Sequence, residues 1–120
     1  MSISTVEEYY RRIDQSDVAW VVSRFSADAV YERAETSYSG LGEIGRFFRE
    51  QRLIRGVHQV DTLVANSNGD VVIAAGRFEG TGRQGDPKNV GFADVWQFDA
   101  DGLVKKRQTY LALGSTYVRE

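Results

Sequence analysis

Asn89-Val90-Gly91-Phe92-Ala93-Asp94-Val95-Trp96-Gln97-Phe98, then Asp99-Ala100-Asp101-Gly102, then Leu103 to Ala112, is the stretch that decides the fold. Two alternating arms around an Asp-Gly turn read as a β-hairpin. At a strand's period of two, Phe92, Asp94, Trp96 and Phe98 share one face of the first arm. Three are aromatic and the fourth is a carboxylate. Burying an ionised carboxylate is costly unless something pairs with it. Asp94 therefore has a counter-charge, is held as the neutral acid, or faces a cavity that holds water or ligand. The last two are ways to make a general acid or base.

Upstream, Val57–Ala65 and Val71–Gly80 flank Asn66-Ser67-Asn68-Gly69-Asp70, an Asn-Gly type turn, and form a second hairpin. The glycines and Pro87 around Thr81–Asn89 read as a mobile connection. Before the hairpins the pattern is helical. Ser4 and Glu7 form a capping box for a helix over residues 5–15, with Val6, Tyr9, Tyr10 and Ile13 on one face. Asp17 caps a second helix carrying Val18, Val21, Val22 and Phe25. Ser26-Ala27-Asp28 is a turn, residues 29–33 a short strand and Thr36–Gly42 a loop. A third helix covers residues 42–51. The order gives an α+β fold, with three N-terminal helices packed on one face of a curved, mainly antiparallel sheet.

With 120 residues, the chain reads as one domain over 1–120 with a single core. A net charge of -2 carries no nucleic-acid or membrane footprint. No cysteine and a single histidine argue against thiolate chemistry and against a metal site. Residues 1–5 lack the basic and apolar blocks of a signal peptide, and no apolar run nears the ~20 residues of a membrane-spanning helix. A cytoplasmic protein is expected.

Closing each turn with its shortest loop pairs Phe98 with Leu103, Gly80 with Val90 and Ala65 with Val71. Asp94 then lies opposite Arg107, Phe92 opposite Thr109, Phe78 beside Phe92 and His58 beside Phe78. One face carries His58, Val60, Thr62, Val64, Val72, Ala74, Gly76 and Phe78. It continues through Phe92, Asp94, Trp96, Phe98, Arg107, Thr109 and Leu111. Small residues at 74 and 76 ringed by aromatics suggest a cavity with convergent polar groups. The opposite face (Leu63, Ile73, Ala75, Ala93, Val95) is partly apolar and suggests a second copy of the chain as partner.

Several strings resemble a known family. Asp17-Val18-Ala19, Phe25-Ser26-Ala27-Asp28-Ala29-Val30-Tyr31-Glu32 and Gly42-Glu43-Ile44-Gly45-Arg46-Phe47-Phe48 are similar to the SnoaL-like and ketosteroid isomerase-like branch of the nuclear transport factor two superfamily. Phe92-Ala93-Asp94 and Arg107-Gln108-Thr109-Tyr110 continue the likeness. The resemblance implies a cone-shaped fold, a homodimer and an enzyme that uses no cofactor. The aspartate base of ketosteroid isomerases falls on Arg33, while their oxyanion pair falls on Tyr9 and Asp94. The Asp-Arg-Asp triad and the two water-holding residues of limonene-type epoxide hydrolases fall on Asp94, Phe92, Thr109, Tyr31 and Arg33, of which Asp94 and Tyr31 keep the type. SnoaL-like polyketide cyclases keep an acid at the Asp94 position.

The candidates each have two readings. Asp94 is a proton-transfer residue, or a partner of Arg107 across the hairpin. His58 is a proton carrier near neutral pH, or a satisfied residue at a strand end. Tyr9 and Tyr31 donate to a carbonyl or enolate oxygen, or are core tyrosines, and Tyr10 competes with Tyr9 for the inward position. Arg33 and Arg107 bind an anionic group or neutralise Glu32, Glu35 and Asp94. Phe78, Phe92, Trp96, Phe98 and Thr109 form pocket wall or core. The expected function is acid–base cyclisation or isomerisation of a small, largely apolar carbonyl compound such as a polyketide. The alternatives are a non-catalytic binding or assembly protein with the same pocket, and an epoxide-opening enzyme.

Overall fold

The 3.6-residue spacing of Val6, Tyr9, Tyr10 and Ile13 buries one stripe of α1 (Ser2–Asp14). The structure, a computed structural model, describes residues 2–112, so both ends of the expected 1–120 domain lie outside the described residues. α1 begins at Ser2, not after a Ser4 cap. A tertiary tie extends it, because Ser2 Oγ donates to the Gly69 carbonyl at 2.5 Å. Asp17 caps α2 (Val18–Ser23) by accepting from the Trp20 N–H at 3.3 Å, as the sequence suggests. Phe25 lies beyond that helix and opens β1 (Phe25–Arg33), which absorbs the expected turn at Ser26–Asp28 through an irregularity in its pairing.

The expected loop at Thr36–Gly42 is instead β2 (Thr36–Ser39) followed by the start of α3 (Gly40–Arg46). Glu43 accepts the Ser39 N–H at 2.7 Å and closes that helix start two residues earlier than expected. The last turn, Phe47–Gln51, is a π-helical turn. Then come β3 (Arg55–Ala65), β4 (Val71–Thr81), β5 (Pro87–Phe98) and β6 (Val104–Ala112). The residues expected to be a mobile connection form a tight hairpin turn, in which Gly82 N–H donates to the Asp86 carbonyl at 2.7 Å.

The sheet order is β2-β1-β6-β5-β4-β3, and only the β1–β6 pair is parallel. The three helices pack against this curved, open sheet, and the core lies between the two layers. The expected register changes in three places. Asp94 lies opposite Thr109, and Arg107 opposite Trp96, because the turn is one residue longer than the shortest closure and Lys105 bulges out of the ladder. Phe78 lies beside Val90 and Gly76 beside Phe92, since pairing runs on to Thr81–Pro87. Both shifts total two residues, so Asp94, Arg107, Thr109 and Leu111 keep their expected face, while Val104, before the bulge, takes the inward place expected for Leu103.

The third change moves a face. His58 is beside Phe78 as expected, but a bulge at Asp61 follows. Leu63 therefore packs against the core, while Thr62 and Val64 turn outward. Gly76 is no cavity floor either. A Cβ there would meet the Gln59 carbonyl oxygen at 1.9 Å, so the missing side chain lets β3 cross close to β4 beside the bulge. Gly76→Ala is expected to force that crossing apart and to cost about 1–3 kcal/mol, as overpacking does. Urea denaturation at constant slope checks it, and an unchanged midpoint would rule out the close crossing.

Candidate active site

The inner face of the sheet, α1 and the chain after the π turn enclose a cavity of about 270 Å³. Its apolar wall is Ile54, Phe78, Val90, Phe92 and Leu111. Its polar groups are Tyr9, Arg33, Arg52, His58, Lys88, Asp94, Arg107 and Thr109. The volume sits just below the roughly 300–1,000 Å³ of ordinary small-molecule sites.

Asp94, 1% exposed, is the hub at the cavity floor. Its Oδ1 accepts from Thr109 Oγ1 at 2.5 Å. Its Oδ2 accepts from Tyr10 Oη and from Arg107 Nη2, the latter at 3.0 Å. Thr109 in turn is 3.0 Å from Tyr31 Oη, which accepts from Arg33 Nη1 at 3.1 Å. Arg107, 3% exposed, packs its guanidinium against the rings of Tyr9, Tyr31 and Trp96 at 4.5, 4.6 and 4.4 Å. Burial alone would lower its pKa. Asp94, with the tyrosines, outweighs that and holds Arg107 well above the usual arginine range.

The two neighbouring tyrosines divide the work. Tyr10 donates to Asp94 and accepts from Trp96 Nε1 at 3.4 Å, so its hydroxyl is spent inside the protein. Tyr9 lines the cavity, and its oxygen accepts from Arg107 Nη1 at 2.6 Å. The Tyr9 O–H therefore has no acceptor among the described residues. Burial raises both phenols above their usual range, with Asp94 adding to the effect on Tyr10 and Arg107 opposing it on Tyr9. Both remain hydroxyl donors at neutral pH.

A second cluster flanks the first. The Asp14 carboxylate accepts the His58 backbone N–H at 3.0 Å and contacts His58 Nδ1 at 2.6 Å. A carboxylate there requires the proton on Nδ1 and leaves Nε2 with a lone pair. Burial lowers the His58 pKa from its usual 6.5, and Asp14 only partly opposes this. At neutral pH the ring is a neutral base oriented by a carboxylate, packed against Tyr10, Phe78 and Phe92.

The cavity thus brings together the expected Tyr9, Arg33, His58, Phe78, Phe92, Asp94, Arg107 and Thr109. Tyr31 stands behind Thr109, outside the lining. Trp96 and Phe98 are buried in the core and do not line the cavity. Arg107 pairs with Asp94 diagonally, not directly across the hairpin. Sequence reading missed Asp14 and Arg52. Asp14 follows Tyr10 by four residues and so shares its helix face, a signal that was available. Arg52 reads from sequence only as a basic residue at a helix end.

A SnoaL-like domain family model matches residues 6–107. Among solved structures, the epoxide hydrolase/cyclase-like enzyme SalBIII, active in pyran-ring formation in the polyether salinomycin, superimposes with a TM-score of 0.81 at 18% identity. The alignment covers 93% of this chain and 91% of that one. An NTF2-like protein of unknown function from Burkholderia pseudomallei gives 0.82 at 18% identity, covering 92% and 90%. A protein described as a SnoaL-like polyketide cyclase from Shewanella denitrificans gives 0.80 at 13% identity, covering 92% and 90%. At these identities the likeness is one of fold. No curated protein sequence matches the chain significantly.

Two outcomes are expected of the hub and the dyad. Arg107→Met strands a buried carboxylate and is expected to cost about 3–5 kcal/mol in urea denaturation. Asp94→Asn combined with Arg107→Met should lose less than the sum of the single losses, since no charge is then left alone. Strict additivity would mean the pair does not couple. The second outcome concerns His58, whose NMR titration should fall below pH 6.5 and fall further in Asp14→Asn. Because the folded state disfavours its protonation, its contribution to stability is complete above about pH 6.5 and is lost as pH drops through the folded pKa.

Proposed function

The chain belongs to the SnoaL-like domain family, and from that membership we propose that it is a cofactor-independent acid–base enzyme. Its substrate is a small, largely apolar carbonyl compound such as a polyketide, and the reaction is an isomerisation or cyclisation. The observation that carries this reading is one apolar cavity holding an imidazole with a bare nitrogen and a hydroxyl donor polarised by a buried arginine.

His58 Nε2 removes a proton from the carbon beside the carbonyl. The electron pair moves onto the carbonyl oxygen, where the Tyr9 O–H, polarised by Arg107, donates to the developing oxyanion. Asp94 is the second proton-transfer group. Three of the roughly four lone-pair sites of its carboxylate are spent on Thr109, Tyr10 and Arg107, leaving one site for a ligand at the floor. Return of the proton to another carbon gives an isomer. Attack of the enolate on a second carbonyl gives a ring, and the alkoxide then takes the proton back. Both outcomes rearrange a single molecule. Phe78, Phe92 and Leu111 keep water from these few polar groups.

The protein acts in this reading as a cytoplasmic homodimer. Val57, Val64, Ile73 and Tyr110, large and exposed on the outer face of the sheet, support a second copy there. Among the described residues, no helix is long and apolar enough to cross a membrane.

A non-catalytic binder is the second reading, favoured by how fully the protein itself satisfies Asp94. Turnover separates the two. His58→Gln and Asp94→Asn are each expected to lower kcat by about 10² or more with ligand binding retained, the size of a general acid–base contribution. The wild-type kcat/KM should fall on the acid side as His58 protonates, at a pH below 6.5. If both variants turn over a substrate at the wild-type rate, the protein is not an acid–base enzyme of this kind.

A further inference from the structure

The charges around the cavity do not balance. Among the described residues, Arg33, Arg52, Lys88 and Arg107 line it against a single carboxylate, Asp94. Arg107 is matched by Asp94 at 3.0 Å and Lys88 by Asp86 at 2.9 Å. Arg33 and Arg52 have no carboxylate within ion-pair distance among the described residues. Arg33 spends one N–H on Tyr31 Oη, while the Arg52 side chain has no hydrogen-bond acceptor among them. Glu50, close by in sequence, bridges Arg46 instead at 3.4 Å.

From this we infer that the substrate carries a carboxylate, which the Arg52 guanidinium grips with Arg33 assisting, while its apolar body lies on Phe78, Val90 and Leu111. The inference rests on the reading of this cavity as the substrate site, and it narrows the substrate class to a small oxo acid. A guanidinium presents paired N–H groups in the geometry a carboxylate accepts.

The plainer alternative is that Arg52 is a solvated rim cation stacked on Phe78, 6.0 Å from the ring. Two features speak against it. The backbone N–H of Arg52 bonds the Phe47 carbonyl five residues back at 2.8 Å, so the π turn sets where this residue leaves the helix. Such turns concentrate at functional sites. Arg52 is also held in an unfavourable electrostatic position. Burial, with the like charges of Arg107 and Arg33, draws its pKa below the usual arginine range against the opposing pull of Tyr9 and Tyr31. An anion entering the cavity relieves that cost, and a neutral ligand does not.

Calorimetric titration with four monocarboxylates (hexanoate, benzoate, phenylacetate and levulinate), each beside its primary amide, tests the inference. At least one acid is expected to bind wild-type protein about tenfold to a hundredfold more tightly than its amide, the size of a hydrogen-bonded charge pair. Arg52→Gln should bring that ratio to within about threefold, and Arg33→Gln should reduce it, whereas Arg52→Lys keeps part of it. Circular dichroism confirms that each variant is folded. Equal affinity for acid and amide, no binding by any of the four acids, or a preference that survives Arg52→Gln would overturn the inference. His58→Gln should leave the preference unchanged. A preference for the acid in a protein whose His58→Gln and Asp94→Asn variants both turn over substrate at the wild-type rate would sink the catalytic reading and leave this one standing.

Discussion

The buried pair of Asp94 and Arg107 is the interaction on which the rest depends. Two charges out of water are stable only if most of their remaining hydrogen-bonding sites are filled; here three separate elements supply partners, and the buried Arg107 Nε–H is left without one among the described residues. Tyr9 and Tyr10 arrive from α1, Thr109 from β6, and Tyr31 from β1 reaches the pair through Thr109. Dispersion against Tyr9, Tyr31 and Trp96 surrounds the guanidinium. The helix layer therefore does more than cover an apolar face. It is keyed to the sheet at one polar point, where Tyr9 meets Arg107 and Tyr10 meets Asp94.

Two bulges shape the sheet around that point. The longer turn and the loss of Lys105 from the ladder together set Thr109, not Arg107, directly across from Asp94. Arg107 then reaches Asp94 on the diagonal, and the direct position is left for a short hydroxyl that fits inside. The bulge at Asp61 turns Leu63 inward and ends the alternation that His58 and Val60 began. Gly76 permits the close strand crossing beside it. His58 lies before the bulge, on the face toward Asp14 and Phe78, while the strand beyond it closes over the core.

The class of fold, the two main hairpin turns and the inward face of β4, β5 and β6 were legible from alternation alone. Side-chain direction survives a register error of two, so Asp94, Arg107 and Thr109 were placed on the right face with the wrong partners. Bulges were not legible as such, although two polar residues in a row at Asp61-Thr62 interrupt the pattern where one occurs. The β1–β6 pairing was hidden because a parallel contact between the first and last strands has no local signature. At the site, Tyr9 and Tyr10 were both visible, but their division of labour depends on which hydroxyl Arg107 reaches. Asp14 was readable one helical turn after Tyr10. Arg52 was not, since only a π turn carries a residue at that position into the cavity.

The ion pair and the chemistry proposed for the cavity have one physical root. An ionised aspartate alone among Phe92, Trp96 and Phe98 would be costly, and Arg107 offsets that cost. Once present, Arg107 has hydrogen-bonding capacity beyond Asp94 and directs it to the Tyr9 oxygen. That makes Tyr9 a polarised donor whose own O–H has no acceptor among the described residues. Electrostatic stabilisation of a developing oxyanion needs a dipole set before the reaction begins, and the folding of α1 onto the pair sets this one. The same neutralisation means Asp94 contributes little net charge to the cavity. The field there is set by Arg33 and Arg52, which no carboxylate among the described residues answers, so the floor is neutral and the wall is positive.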